Sequence, residues 1–219
     1  MIKISYYQVK NERRDNMDSI MIIDRVMNDE IEAVTNVEKR LQQNKDDYRK
    51  VIDAILSLKG RLIFTGVGKS GHIGEKLAAT FASTGTPSFF MHATEAMHGD
   101  LGMVTKDDLV IDISNSGETK EAINPIDPIH RIGAKIVAMT GNKDSTLAKK
   151  SDYLLEVSVD GEADQFNLAP TNSSTAVLVV GDAIALAVSE NKHFTEIQFG
   201  TFHPGGALGQ RLLKEGMIK

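Results

Sequence analysis

The chain has 219 residues, 41% of them hydrophobic, enough to bury one sizeable core and a length that falls between one domain and two. A formal charge of −5 and a pI near 5.7, with no dense Lys/Arg run, argue against a nucleic-acid partner while leaving small anionic ligands open. The absence of Cys removes disulfides, thiolate metal sites and cysteine nucleophiles together, which suits a cytoplasmic setting, and no apolar run reads long enough to make a membrane partner.

Residues 1–16 read as an N-terminal extension, broken by Lys3, Lys10, Glu12, Arg13 and Arg14 and so unlike a signal peptide; residues 17–219 read as a single domain. From Ile20 onward, apolar residues recur at Ile23, Met27, Ile31, Val34, Val37 and Leu41, three or four apart, which predicts a long amphipathic helix as an N-terminal arm. A second helix is expected from Asp46 to Leu58, ended by Lys59-Gly60. Strands are then expected at Arg61–Thr65, Pro87–Met91, Asp108–Ile113, Lys135–Thr140 and Tyr153–Val159. Helices are expected between and after them, at Gly71–Ser83, Glu118–Ile132, Ser145–Lys149 and Thr175–Glu190. Pro125 and Pro128 should kink the second of these or delay its start, and Gly133 should end it. Strands that are apolar throughout and alternate with helices predict an α/β fold: a three-layer αβα sandwich around a five-stranded parallel sheet.

Two loops carry the chemistry. Gly66-Val67-Gly68-Lys69-Ser70-Gly71 leaves the first strand, and Ser114-Asn115-Ser116-Gly117-Glu118-Thr119 leaves the third. Glycines let a backbone approach an anion, hydroxyls and free N–H groups bind its oxygens, and a helix starting there adds the positive end of its dipole. The first loop satisfies G-x-G-x-x-G, but the next strand ends in Met91-His92 where a dinucleotide site needs a ribose-binding acid. It also imitates a Walker A motif, with Ile63 in place of the required first glycine. A glycine turn that merely packs a helix on the sheet, and hydroxyls that merely cap helices, are the plain alternatives.

Beyond these loops stand Ala79-Thr-Phe-Ala-Ser-Thr-Gly-Thr-Pro87, Glu95-Ala-Met-His-Gly-Asp-Leu-Gly-Met103, Leu168-Ala-Pro-Thr171 and His203-Pro-Gly-Gly-Ala-Leu-Gly209. Together with both loops, over about residues 25 to 215, the chain resembles the D-arabinose-5-phosphate isomerases of the sugar isomerase (SIS) fold. The resemblance implies a homo-oligomer, usually a tetramer, with sites at subunit boundaries. It also implies interconversion of D-ribulose 5-phosphate and D-arabinose 5-phosphate on the way to 3-deoxy-D-manno-octulosonate (Kdo) for lipopolysaccharide or capsule. Many members continue after the His-Pro-Gly-Gly motif into paired cystathionine-β-synthase domains, whereas this sequence stops at Lys219, so regulation through such a pair is not expected here. The run Glu162-Ala-Asp-Gln-Phe-Asn167 departs from the Glu-Ala-Cys-Pro-Leu-Gly-like run of relatives and bears on substrate preference.

Isomerising a sugar phosphate through an enediol needs a base, a group that stabilises the developing oxyanion and a phosphate anchor. The anchor candidates are Ser70, Ser114, Ser116 and Thr119 with Gly68, Gly71 and Asn115 beside them, and Thr171 and Ser173 are candidates for the sugar site. The resemblance picks out Lys69, His98, Glu121, Glu162 and His203 for catalysis. Glu162, in the loop leaving the last strand, leads as the proton-transferring base; His203 is equally able to be the base with Glu162 orienting it. No metal or other cofactor is expected, because proton transfer needs none and His92, Glu95, His98 and Asp100 match no ligand spacing. A non-catalytic sugar-phosphate sensor, or an SIS isomerase of another phosphosugar, are the competing readings.

Overall fold

The computed structural model describes residues 18–218. The expected extension over 1–16 lies outside them. Helix α1 runs unbroken from Ser19 to Leu56, 38 residues, with the Asp18 side chain accepting from the Ile20 N–H at 3.2 Å to start it. Two helices were expected here; Gln42-Gln43-Asn44-Lys45 offers neither glycine nor proline, so nothing ends the first one. Ala33, Val37, Tyr48, Val51 and Ile55 are buried, whereas Ile20 and Ile31 near the start are 66% and 61% exposed.

The remaining elements follow in chain order: β1 Leu62–Gly66, α2 Gly68–Ser83, β2 Ser88–His92, α3 Ala93–Ala96, a 3-10 turn Asp100–Met103 and β3 Leu109–Ile113. After these come α4 Lys120–Ile123, α5 Ile126–Ile132, β4 Lys135–Thr140, α6 Thr146–Lys150, β5 Tyr153–Glu156, α7 Asn172–Asn191, α8 Glu196–Phe202 and α9 Ala207–Lys214. The five strands form one parallel sheet in the order β2-β1-β3-β4-β5. Every residue of β1 and β3 is buried, as continuous apolar strands covered on both faces require. Alternate residues feed two cores. Leu62, Phe64 and Ile111 pack with α1, α2 and α7, and Ile63, Val110 and Ile136 pack with the short helices α3 to α6.

The expected helix Glu118–Ile132 is split in two, with Pro125 at the N-cap of α5, and Gly133 ends it in the left-handed conformation at φ 97°. α7 starts at Asn172, three residues earlier than expected, and extends through Asn191. Its continuity creates a segment long and apolar enough to cross a membrane, of a kind the sequence reading did not anticipate, although half of it is buried in the fold.

Candidate phosphate-binding site

The strand order reverses between β1 and β3, since β2 lies beyond one and β4 beyond the other. At such a point the two connections leave in opposite directions and open a crevice at the C-terminal strand ends, where ligands of open α/β sheets bind. Both hydroxyl-rich loops leave the sheet there.

In the first loop Gly68 sits at φ +57° with open space where a Cβ would stand, so glycine is required for the backbone angle and not for room. Val67 takes the N-cap position and supplies no side-chain bond, so the opening N–H groups of the 16-residue α2 are left for an external acceptor. A slot of about 60 Å³ opens beside this turn. Its walls are Lys69, Ser70 and Ile73 of α2, Ile113 and Asn115 at the end of β3, and Pro170, Ser173, Ser174 and Val177 around the start of α7. Lys69 is exposed and brings a cation to a space otherwise walled by hydroxyls, an amide and aliphatic carbons.

The second loop is pinned from β4 and α6. The Asn115 carbonyl accepts from the Gly141 N–H at 3.0 Å and the Thr140 hydroxyl at 3.2 Å, and the Leu147 N–H donates to the Gly117 carbonyl at 3.0 Å. Glu118 accepts from the Thr146 N–H at 2.7 Å, which holds its carboxyl below the usual carboxylate range. Gly117 has φ +65°, and a Cβ there would lie 2.2 Å from the Ser145 hydroxyl. The Ser114 hydroxyl accepts from the Gly117 N–H at 3.2 Å and the Ser116 hydroxyl from the Glu118 N–H at 3.2 Å, so both serve the turn itself. Thr119 stands at the N-cap of α4 without making a capping bond.

The start of α7 is organised by Glu162. Its Oε2 accepts from the Thr171 N–H at 2.9 Å, the Thr171 hydroxyl at 3.2 Å and the Ser173 N–H at 3.1 Å, while Oε1 accepts from the Ser173 hydroxyl. The carboxylate therefore satisfies orphan donors of a 20-residue helix and fixes Ser173 in the wall of the slot. Asn167 adopts φ 56° and takes the Glu162 N–H on its Oδ1 at 2.5 Å. Desolvation acts to raise the Asp164 carboxyl, but the N–H groups of Ala169, Leu168 and Phe166 that donate to it together outweigh that effect and hold it below the usual range.

Among the sequence candidates, the slot brings together Lys69, Ser70, Asn115 and Ser173, with Thr171 and Glu162 one bond behind Ser173. Ser114, Ser116 and Thr119 belong to the adjoining turn and do not line it. Neither do His98, exposed after α3, nor Glu121, exposed in the first turn of α4. His203 ends α8, where its ring stacks on Phe199 at 4.0 Å and its Nδ1 lies 2.8 Å from the Phe199 carbonyl oxygen. A carbonyl can only accept, so Nδ1 carries the hydrogen and the neutral ring keeps its lone pair on Nε2. Sequence reasoning missed the aliphatic walls Ile73 and Val177, three and four residues beyond Ser70 and Ser173; helical spacing from those serines is the signal that finds them.

The SIS domain matches residues 55–187, and the chain belongs to the SIS-domain family. It is 50% identical over 198 residues to arabinose 5-phosphate isomerase KdsD of Pseudomonas aeruginosa, covering 90% of this chain and 60% of that protein. It is 48% identical over 181 residues to arabinose 5-phosphate isomerase KpsF of Escherichia coli, covering 83% of this chain and 55% of that one. The chain thus spans a little over half the length of these curated relatives. Among solved structures, that of an Escherichia coli CFT073 protein in complex with arabinose 5-phosphate superposes with a TM-score of 0.81 at 50% identity, covering 86% of this chain and 99% of that one.

Proposed function

Starting from that membership, we propose that the chain interconverts D-ribulose 5-phosphate and D-arabinose 5-phosphate through an enediol, within Kdo synthesis for lipopolysaccharide or capsule and in the cytoplasm. The observation that carries this reading is the slot at the strand-order reversal, where Lys69 and Ser70 at a helix start face Asn115 and Ser173. Its size matches a phosphate group better than a pentose, and binding sites for small molecules are usually several times larger. The sugar then extends out of the slot, which favours a homo-oligomer, a tetramer by family resemblance, whose neighbouring subunits complete the walls.

In this reading the helix start and the Ser70 hydroxyl hold the phosphate in the slot, Gly68, Gly71 and Asn115 shape its cradle, and Ser114, Ser116 and Thr119 form the adjoining turn, from which their hydroxyls reach phosphate oxygens that project beyond the slot. A base removes a proton from C1 of the ketose, and the electron pair forms the enediolate. The proton returns to C2 as the O1 hydroxyl proton passes to O2. Lys69 stabilises the enediolate charge. His203, with its lone pair on Nε2, suits the base; Glu162, whose oxygens already accept four donors, suits the positioning of Thr171 and Ser173. His98 and Glu121, which the resemblance assigns to catalysis, are both exposed and lie outside the slot. The purified chain incubated with ribulose 5-phosphate tests this: NMR should show arabinose 5-phosphate forming with solvent deuterium at C2. Tight binding of arabinose 5-phosphate with neither isomerisation nor exchange would establish a sensor instead.

A further inference from the structure

We propose that Asp112 is a proton site coupled to the phosphate site: the folded chain keeps a proton on this carboxyl, bound phosphate holds it there more firmly, and its loss weakens phosphate binding. This deepens the phosphate-site reading above and rests on it. Asp112 is 1% exposed and shares the sheet face of Val110, the one covered by α3 to α6, in a row with Met91 of β2, Thr65 of β1 and Ala138 of β4. Among the described residues no donor reaches either of its carboxyl oxygens, and the Thr65 hydroxyl beside it is equally unpartnered. An ionised carboxyl in such a place is a buried, uncompensated charge, far more costly than the neutral acid. The charges of the covering layer do not offset it. Glu95 on α3, Lys120 and Glu121 on α4, Asp127, His130 and Arg131 on α5, and Lys149 and Lys150 on α6 are exposed, and Asp100 in the 3-10 turn is half-buried. Burial alone acts on the carboxyl, in the direction that keeps its proton.

The carboxyl lies under the anion site. A strand rises about 3.3 Å per residue, so Asn115 in the slot wall is no more than about 10 Å further along the chain, and Ile113, the next residue, lines the slot from the opposite sheet face. Two negative charges at that separation within a protein oppose each other by a factor on the order of tenfold in affinity per unit charge. A phosphate monoester carries close to two such charges above about pH 7.5. Bound phosphate therefore favours the neutral carboxyl. By linkage the neutral carboxyl favours phosphate, and binding takes up a proton wherever the free chain has begun to release it. The backbone offers a second path, since an ionised Asp112 would have to draw water or a donor in beneath Gly66 and Ser114, where β1 and β3 deliver the two loops.

Calorimetric titration of the full chain with D-arabinitol 5-phosphate is the test, because this alditol carries the phosphate monoester and no carbonyl to isomerise. Buffers of different ionisation enthalpy then report the protons exchanged. From about pH 7.5 to about pH 9.5, where the ligand's own second ionisation is complete, the wild type should take up a fraction of a proton per ligand and lose about tenfold in affinity. Asp112→Asn is neutral throughout and should bind without the uptake and without that loss. Infrared difference spectra of the wild type, with and without ligand at the alkaline end, should show a protonated carboxyl gained on binding, a readout that does not depend on how the variant folds. Binding by the wild type without proton uptake, equal uptake by the two proteins, or spectra lacking that gain overturns the proposal and leaves the phosphate site standing. A wild type that binds no alditol phosphate at any pH removes both.

Discussion

Thr65 and Asp112 are cross-strand neighbours on β1 and β3, both buried, and neither the hydroxyl nor either carboxyl oxygen has a hydrogen-bond partner among the described residues. The pair lies one position before the ends of the two strands that deliver the phosphate loops. Burial pushes the Asp112 carboxyl well above the usual carboxylate range. The folded chain therefore holds a proton there that the unfolded chain releases above about pH 4. With fewer protons bound in the unfolded state, stability falls as pH rises from the ordinary carboxylate range to the raised folded value. Asp112→Asn removes that proton requirement and should flatten the decline. Thermal melts of both proteins at mildly acidic and mildly alkaline pH check this; parallel curves would mean that Asp112 titrates normally in the fold.

Glu162→Gln replaces an acceptor-only group with one that places an NH₂ against donors already aimed at it. The loss of charge-assisted bonds to Thr171 and Ser173 should cost about 1.5 to 3 kcal/mol of stability. Ser173→Ala should cost less stability yet raise KM, since the hydroxyl lies in the slot wall. Urea unfolding and steady-state kinetics on the two variants separate these effects. A Glu162→Gln protein with wild-type stability would show that the carboxylate is not what fixes the start of α7.

Lys69 is exposed, so Lys69→Ala should leave folding intact while lowering kcat/KM by roughly 10² to 10³ if its cation meets the enediolate. His203→Ala should lower kcat by roughly 10² or more, the scale of general base catalysis, while preserving ligand-induced thermal stabilisation. Should Glu162→Gln abolish deuterium exchange at C2 while His203→Ala preserves it, the two roles proposed here are reversed.

Gly117→Ala combines a left-handed backbone angle with a Cβ 2.2 Å from the Ser145 hydroxyl. The strained angle alone costs about 1 kcal/mol or more, and the clash forces the loop away from α6. We expect weaker binding of phosphate-bearing ligands together with a lower melting temperature, read by calorimetric titration with arabinose 5-phosphate and by thermal unfolding. Gly68→Ala meets no neighbour and should show only the cost of its angle.

The five strands were legible because each is a short apolar run between turn residues, a pattern that burial on both faces imposes on the central strands β1, β3 and β4. The loops were legible because glycines and hydroxyls cluster where those runs stop. The continuity of α1 was not, since Gln42 to Lys45 carries no apolar periodicity and only the packing of Leu41 and Tyr48 on the same core joins the two halves. α8 was not among the expected helices, although the capping box of Thr195 and Gln198 that starts it was a sequence signal for it. The bonds that bind Glu162 to Thr171 and Ser173 depend on how the segment from Asp160 to Pro170 bends back, and no periodicity encodes that bend.

β5 is a sheet edge, and α1 takes the carbonyl at its C-terminal end and another just beyond it. Tyr48 donates to the Glu156 carbonyl at 3.1 Å, Asn44 to the Glu156 side chain at 3.0 Å, and Arg40 to the Ser158 carbonyl. A bare strand edge is a template on which another chain can add a strand. By placing helix side chains on the C-terminal end of this edge, the fold hinders such recruitment there for as long as α1 stays docked. The species most prone to aggregate is then one whose sheet is still intact but whose first helix has come away.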